Sequence, residues 1–201
     1  MLAVSLTGVT FFPRASVGWA KQIRTALPFD TQGIHRVSGH SARAAYEEVV
    51  GDETIIEAVE RSEFEDQVRA WLDEVADDDR VIYLVAAGAD QEGNGAGSDI
   101  VGFTQLSRGD RSPEPVVSGE AFLVSLCVDS ERWNEGAGSA LLDAAIDRLP
   151  DDVAVVSLEV LARNDLARGF YEDRCFRPVA DETYEVDDVA YPSERYARTL
   201  D

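Results

Sequence analysis

The chain of 201 residues contains one lysine, two cysteines, two histidines and no long apolar run. Cys127 and Cys175 are too few for a disulfide framework, which favours a reducing, cytoplasmic location. Cysteines and histidines show no metal-ligand spacing, so we predict that no metal is bound. A membrane-spanning helix needs about 20 consecutive apolar residues, and the lack of such a run predicts no membrane association.

Acidic residues outnumber basic residues by 39 to 18, and the net charge is −21. Such a surface repels phosphate groups, so the composition excludes direct nucleic-acid binding. The acids are spread along the chain, which is typical of proteins that stay soluble at molar salt, where the screening length falls to about 3 Å. We therefore predict an origin in an extremely halophilic archaeon. A cationic substrate is the alternative explanation of the charge.

The beginning of the chain differs in charge from the remainder. Residues 1–35 contain three basic residues and one acid, whereas residues 36–201 carry 15 basic and 38 acidic residues. The apolar start lacks the basic segment and the cleavage site of a signal peptide. We predict an N-terminal extension over residues 1–32, which is flexible or was added by a start codon placed too early. One domain of ordinary size is predicted over residues 33–201.

Hydrophobic periodicity predicts an α/β fold in which helices flank a mixed central sheet. Strands are predicted at residues 34–37, 81–87, 100–106, 122–128, 153–161, 184–186 and 195–199, and helices at residues 41–50, 53–75, 138–149 and 165–174. Loops are predicted at residues 88–98 and 107–119, and Ser38 or Ser41 is the candidate cap of the first helix. The central strand–helix–strand crossover requires parallel pairing within an otherwise antiparallel sheet.

A small-residue turn follows the apolar strand at residues 122–128. Gly136 and Gly138 lie in the sequence Asn-Glu-Gly-Ala-Gly-Ser, which opens the next helix. A helix N-terminus offers unpaired amides and a partial positive charge, and glycine lets a phosphate approach them. No Gly-Lys-Ser/Thr follows, which excludes a P-loop, and the third glycine of a dinucleotide fingerprint is missing. By itself, the turn is equally well explained by close packing of the helix on the strand.

A second pattern begins after the strand at residues 153–161. Asn164 is a natural N-cap for the helix that follows. Ala167 and Tyr171 lie one turn apart on the same face of that helix. By itself, Tyr171 would be interpreted as an ordinary aromatic residue of the core.

Taken in order, the two patterns resemble the GNAT superfamily of N-acetyltransferases. Its Q/R-x-x-G-x-G/A motif matches at Gly136 and Gly138, with Trp133 at the Gln/Arg position. Its L-E-V-x-x-x-N-x-x-A-x-x-x-Y-x-x-x-G-F pattern matches residues 158–176, with Cys175 at the glycine position, where we expect a left-handed turn at some cost. The resemblance implies the acyl-CoA N-acyltransferase fold, acetyl-CoA as co-substrate and transfer of its acetyl group to a primary amine.

The resemblance also implies which residues contact the cofactor. They are the strand end (Leu126, Cys127, Val128), the turn (Trp133, Asn134, Gly136, Ala137, Gly138, Ser139) and the second helix (Asn164, Tyr171). Tyr171 is then the general acid, because a phenol with a pKa of about 10 keeps its proton until a thiolate with a pKa of about 8.5 forms. A backbone N–H at Cys127 or Val128 would hold the oxyanion.

The general base is less well defined than the acid. Glu159 matches the spacing of the glutamate in ribosomal-protein alanine acetyltransferases, where it is proposed to accept a proton through water, and a structural role explains it equally well. Glu120 is a weaker alternative. Cys127 lies in an apolar strand, where a thiol stays protonated, and the sequence offers no partner for His35 or His40.

The acceptor and the assembly are not specified by these motifs. The acceptor is an amine-bearing small molecule, a protein N-terminus or a protein side chain, and the protein is expected to be a monomer or a homodimer. The substitutions at Trp133 and Cys175 leave a second hypothesis open, a catalytically silent acyl-CoA-binding sensor or interaction module.

Overall fold

The computed structural model describes residues 7–8, 23–46, 63–88, 100–186 and 189–200. The strands are β1 (Thr7–Gly8), β2 (Ile23–Thr25), β3 (Val81–Ala87), β4 (Ile100–Arg108), β5 (Glu120–Val128), β6 (Val155–Leu161), β7 (Arg177–Val186) and β8 (Val189–Thr199). The helices are α1 (Thr31–Tyr46), α2 (Glu63–Glu74), α3 (Ala137–Ile146) and α4 (Asp165–Glu172). The strands form one sheet in the order β2-β3-β4-β5-β6-β8-β7, and β1 pairs separately with β5.

The sheet is mixed, which confirms the predicted fold class. β5 and β6 are parallel and joined by α3, whereas the pairs from β2 to β5 and from β6 to β7 are antiparallel. The parallel ladder is short, since it runs only from Glu120 opposite Val155 to Phe122 opposite Ser157. Beyond Phe122 a gap opens between β5 and β6, and β1 lies along β5 there, pairing with Leu126 and Cys127.

Two apolar clusters form the core, one on each face of the sheet. The first contains Leu141 of α3 and Phe170 of α4 against Leu158 of β6. The second contains Ile34 of α1 and Leu72 of α2. This arrangement follows from the amphipathic helices, each of which buries its apolar stripe on a strand surface.

The strand predicted at residues 34–37 is wrong, because these residues belong to α1. Ile34, Val37, Ser41 and Ala45 recur at intervals of three or four and are all buried, which is the spacing of a helix face. A run of four residues is too short to separate this period from that of a strand. The predicted caps, Ser38 and Ser41, are buried inside the helix.

The domain boundary predicted at residue 33 falls inside α1, and the described residues from Ile23 onward pack as part of the same fold. β2 pairs with β3, and buried Asp30 accepts hydrogen bonds from both terminal nitrogens of Arg24, at 2.6 and 2.7 Å, and from the Leu27 amide at 2.8 Å. The described residues from 23 to 32 are therefore part of the sheet and of its first helical connection.

The remaining predicted elements differ mainly at their ends. β3 has the predicted bounds, α3 and α4 are shorter than predicted, and β4 extends into the loop predicted from residue 107. β7 and β8 are much longer than the closing strands predicted. The prediction was too short because much of β7 is exposed and polar, so its sequence shows little alternation of apolar residues. Residues 53–62 of the second predicted helix and most of the loop predicted at residues 88–98 lie outside the described residues.

Gly102 of β4 lies close to β5 and α3. A Cβ atom there would lie 2.8 Å from the Cys127 carbonyl oxygen and 3.0 Å from Leu141 Cδ1. Gly102→Ala is therefore expected to lower the free energy of unfolding by about 1–3 kcal/mol in urea denaturation. Gly169→Ala is the matched control, since nothing lies within 4 Å of its Cβ position in α4 and alanine should raise stability by up to about 1 kcal/mol. Equal midpoints for Gly102→Ala and the parent chain would contradict this reading.

Candidate active site

The end of β5 has different neighbours along its two edges. On one edge, Leu126, Cys127 and Val128 pair with β4; on the other, β6 has diverged and β1 pairs with Leu126 and Cys127. The three side chains are buried, and burial raises the pKa of the Cys127 thiol, which keeps it protonated. The backbone edge to which the family resemblance assigns the cofactor is thus the edge along which β1 lies.

The turn between β5 and α3 is held by backbone conformation and by Trp133. Asn134 and Gly136 have positive φ angles of 67° and 87°, and Gly136 is the N-cap of α3. Position 136 therefore favours glycine, because a left-handed conformation is costly for most other residues. The Trp133 indole N–H donates to the Val128 carbonyl at 2.8 Å, so this side chain fastens the turn to the strand.

Charged groups on the turn are paired with one another. Arg132 Nε lies 3.2 Å from Glu135 Oε2, and the Glu135 side chain is exposed. The first amides of α3, at Ala137, Gly138 and Ser139, precede the helix's own hydrogen-bond ladder. The turn therefore presents backbone donors rather than a basic side chain.

Helix α1 braces this turn through Asp129. Arg36 Nη1 lies 2.6 Å from Asp129 Oδ2, and His40 Nδ1 lies 3.3 Å from Asp129 Oδ1. Burial alone would raise the pKa of Asp129, but hydrogen bonds from the Glu131 amide, His40 and Arg36 outweigh it and hold the pKa below its usual range. The sequence offered no partner for His40, and no local signal could, because the contact spans 89 residues.

The guanidinium of Arg174 contacts the first turn of α3, which the sequence did not predict. Arg174 follows the end of α4 and donates from Nη2 to Ser139 Oγ and from Nη1 to the Phe170 carbonyl, the latter at 2.8 Å. Its guanidinium carbon, Cζ, lies 3.6 Å from the centre of the Phe170 ring. Burial lowers the pKa of Arg174, and the negative charges of Asp143 and Asp173 oppose the shift.

Helix α4 has the predicted N-cap and is followed by the predicted left-handed turn. The Asn164 side chain accepts from the Ala167 amide at 3.0 Å, which confirms it as the N-cap. Cys175 has a φ of 66°, the left-handed turn expected at the family's glycine position, and the Phe176 amide donates to the Tyr171 carbonyl at 3.1 Å. This turn brings Phe176 back against the helix, where its ring centre lies 5.5 Å from that of Tyr171.

Tyr171 is fully buried on the α3–α4 side of the sheet. Its ring also lies edge-on to Phe170, with 5.2 Å between the ring centres. A cavity of about 490 Å³ lies at the N-terminal end of the same helix and is lined by Ala44 and Ala45 of α1 and by residues 162–166. Of the predicted site residues, Asn164 lines this cavity. A cavity of about 690 Å³ along α1 and α2, lined by His35, His40 and Glu65 among others, contains none of them.

Glu159 lies on the opposite face of the sheet from Tyr171. Its neighbours Leu158 and Val160 belong to the same cluster as Tyr171, so strand alternation directs Glu159 to the α1 side. The carboxylate is 5% exposed and accepts a hydrogen bond from the Ser193 hydroxyl. Burial raises the pKa of Glu159, and the negative charges of Glu182 and Glu114 raise it further, against the opposing effects of Ser193 and Arg195.

Glu120, the weaker candidate base, is held in a separate network. It accepts hydrogen bonds from the Ser157 hydroxyl, from the Val117 amide at 3.1 Å and from Arg195 at 3.3 Å. Burial raises its pKa, but these donors outweigh burial and leave the pKa below its ordinary value. A carboxylate so fully engaged is a poor proton acceptor, which favours Glu159.

In the described part of the chain, no group of three or more His, Cys, Asp or Glu side chains is placed to hold a metal ion. None of the helices in the described residues is both long and apolar enough to span a membrane.

A known protein family matches the part of the chain that contains both motifs. The model of the acetyltransferase (GNAT) family matches residues 41–175, which include both motifs. No curated protein sequence matches the chain significantly.

Solved acetyltransferase structures share the fold at low identity. The PaiA N-acetyltransferase of Thermoplasma acidophilum, in complex with coenzyme A, is 18% identical with a TM-score of 0.63, over 89% of this chain and 98% of that one. The ribosomal-protein-S18-alanine N-acetyltransferase of Escherichia coli is 20% identical with a TM-score of 0.56, over 88% and 92%. The ribosomal-protein-alanine N-acetyltransferase of Brucella melitensis is 18% identical with a TM-score of 0.62, over 89% and 99%. With its family model matched over residues 41–175 and both motifs in place, the chain belongs to the GNAT family of acetyltransferases.

Proposed function

We propose that the protein is an acetyl-CoA-dependent N-acetyltransferase that acetylates a primary amine by direct attack, with Tyr171 as general acid. The observation that carries the proposal is the gap between β5 and β6. The amides at the N-terminus of α3 follow one of these strands, and α4, with Asn164 and Tyr171, follows the other. A ligand with a phosphate at one end and a thioester at the other fits this arrangement.

The cofactor would be held by backbone groups at both ends of the gap. The amides of Gly136 to Ser139 hold the pyrophosphate, and the β5 edge at Leu126–Val128, with Asn164, holds the pantetheine arm. β1 pairs along the same edge, so Thr7 and Gly8 must leave Leu126 and Cys127 before the cofactor enters. The related fold of the PaiA protein, which was solved with coenzyme A, supports this use of the gap.

The residues then have separate tasks. Acetyl-CoA supplies the acyl group as a thioester. A backbone N–H of Cys127 or Val128 holds the carbonyl oxygen as charge develops on it. Tyr171 donates its hydroxyl proton to the leaving sulfur, and Glu159 accepts the proton of the amine through water.

The structural explanation of the two substitutions favours the enzyme over the silent sensor. Trp133 fastens the turn through its indole N–H, and Cys175 adopts the backbone conformation of the glycine that it replaces. Neither change removes a backbone donor from the turn or displaces Tyr171. The acceptor is an amine-bearing small molecule or a protein amine, and the names of two structural relatives make a protein N-terminal alanine one class to test.

Calorimetry and a transfer assay test the proposal directly. Acetyl-CoA binding is measured at molar KCl for the full chain and for residues 23–201, followed by transfer of labelled acetyl to peptides, polyamines, aminoglycosides and amino acids. We expect both chains to bind and at least one amine to be acetylated, with tighter binding when β1 is absent. Binding without transfer to any amine would favour the sensor, and failure of both chains to bind acetyl-CoA would contradict both hypotheses.

The raised pKa of Glu159 predicts the shape of the pH profile. A base must be ionised, so kcat/KM for acetyl-CoA is expected to rise with pH through an apparent pKa above that of an unperturbed glutamate. Glu159→Gln should remove this acid limb and lower the plateau by roughly 10-fold. The measurement is a pH–rate profile with a saturating amine.

Glu182→Gln is the matched control for this profile. The negative charge of Glu182 helps to raise the pKa of Glu159. Removal of this charge should therefore move the acid limb of the profile to lower pH without abolishing it. A limb that persists in Glu159→Gln would assign the base to another group.

A further inference from the structure

The turn between β5 and α3 (residues 129–139, the phosphate turn) has its basic side chain engaged in an ion pair. Arg132 is paired with Glu135, and Trp133 uses its indole N–H on the Val128 carbonyl. Asp129 is paired with Arg36 of α1, and Glu131 adds negative charge at the start of the turn. Any positive charge that supports the backbone amides in holding a pyrophosphate would therefore come from elsewhere in the fold.

Arg174 brings that charge from the turn that follows α4. It is fixed in three ways, by its hydrogen bond to Ser139 Oγ, by its hydrogen bond to the Phe170 carbonyl and by the Phe170 ring beneath it. Stacking and partial burial restrict the side chain and reduce the screening of its charge by salt. The guanidinium thus contacts the first turn of α3 through the Ser139 side chain.

The contact also determines how Ser139 can act. A hydroxyl oxygen that accepts a hydrogen bond from a guanidinium keeps its own proton for donation to another group. Ser139 is the third residue of α3, so its hydroxyl and its amide belong to the helical turn that would face the phosphate. Accepting from a cation also strengthens the hydroxyl as a donor.

We propose that Arg174 is a positioning residue for the pyrophosphate of acetyl-CoA, acting through the Ser139 hydroxyl in place of the basic residue absent at position 133. This inference rests on the proposed function. Arg174 does not touch the reacting atoms; it fixes the Ser139 donor and adds one positive charge behind it.

The test compares a thioester that carries phosphates with one that does not. Arg174→Met is expected to lower kcat/KM for acetyl-CoA by about 10-fold or more, the effect of losing a charge-assisted hydrogen bond, and to change kcat/KM for S-acetylpantetheine by less than about 2-fold. Equal losses with both thioesters, or no loss with acetyl-CoA, would overturn the proposal, because a purely structural residue affects both alike.

Calorimetry with coenzyme A gives the same comparison without turnover. The Kd of coenzyme A should rise about 10-fold in Arg174→Met, and in a Ser139→Ala background the same change should have a smaller effect, because only the contribution of the charge remains. Additive losses would overturn the role of Ser139. Because these measurements need no amine, they decide the role of Arg174 even if no acetyl transfer is found.

Two further variants separate charge, packing and folding. Arg177→Met is the matched control, since Arg177 also donates to carbonyl groups at the end of α4, those of Glu172 and Phe176, but not to Ser139. It should leave the ratio of the two kcat/KM values unchanged. Arg174→Lys keeps the charge and should retain part of the preference for acetyl-CoA; a loss of preference as large as in Arg174→Met would contradict a role for the charge.

Discussion

Replacing Tyr171 by phenylalanine is expected to lower kcat by about 10- to 1,000-fold, with little change in affinity for acetyl-CoA. The substitution removes only the hydroxyl that would protonate the leaving thiolate. The ring is fully buried between Phe170 and Phe176, and phenylalanine fills the same space. Steady-state kinetics with saturating amine, together with calorimetry of the cofactor, separates the loss of rate from any loss of binding.

Tyr196→Phe is the matched control for this change. Tyr196 is also fully buried in the same cluster, and its hydroxyl is hydrogen-bonded to Glu172 and Glu194. Its removal should cost about 1 kcal/mol of stability and leave kcat within about 2-fold. An unchanged kcat in Tyr171→Phe would show that another group supplies the proton.

Replacing Ser139 by glutamate is expected to weaken coenzyme A binding by at least about 100-fold without loss of stability. A carboxylate in the first turn of α3 is favourable to the helix by about 0.3–1 kcal/mol and can pair with Arg174. The same charge repels a pyrophosphate, since two like charges about 4 Å apart interact by about 4 kcal/mol at the effective dielectric of a protein surface. Thermal melts and calorimetry on one sample measure both effects.

Ser139→Gln distinguishes charge from size in this experiment. Glutamine has nearly the same shape as glutamate and no charge, so its loss of affinity should stay below about 10-fold. If Ser139→Glu bound coenzyme A as tightly as the parent chain, the turn at α3 would not be the phosphate site.

Local patterns were enough to predict the central part of the fold. The strand at residues 81–87, the Asn164 cap and the left-handed Cys175 each depend on neighbours within a few positions, and each is present. The mixed sheet followed from a buried strand, an amphipathic helix and a second buried strand in succession. Family membership followed from the order of two motifs, whereas the roles of the individual site residues stay predictions.

Contacts between distant residues were not predictable from the same patterns. Arg36 meets Asp129 across 93 positions, and Arg174 meets Ser139 across 35. Each pair forms only because two elements pack together, and an arginine has no local sequence feature that identifies its partner. The strand predicted at residues 34–37 failed for a related reason, because four residues do not distinguish the face of a helix from that of a strand.

The short ladder between β5 and β6 has a mechanical consequence. Among the described residues, the β5–β6 ladder joins the part of the sheet from β2 to β5 to the part from β6 to β7 through three residue pairs, while each part is held by long antiparallel ladders of its own. Amide hydrogens near the gap should therefore exchange with solvent faster than those within either part. A molecule bound across the gap would connect the two parts and slow that exchange, so the stiffness of the sheet would report whether the site is filled.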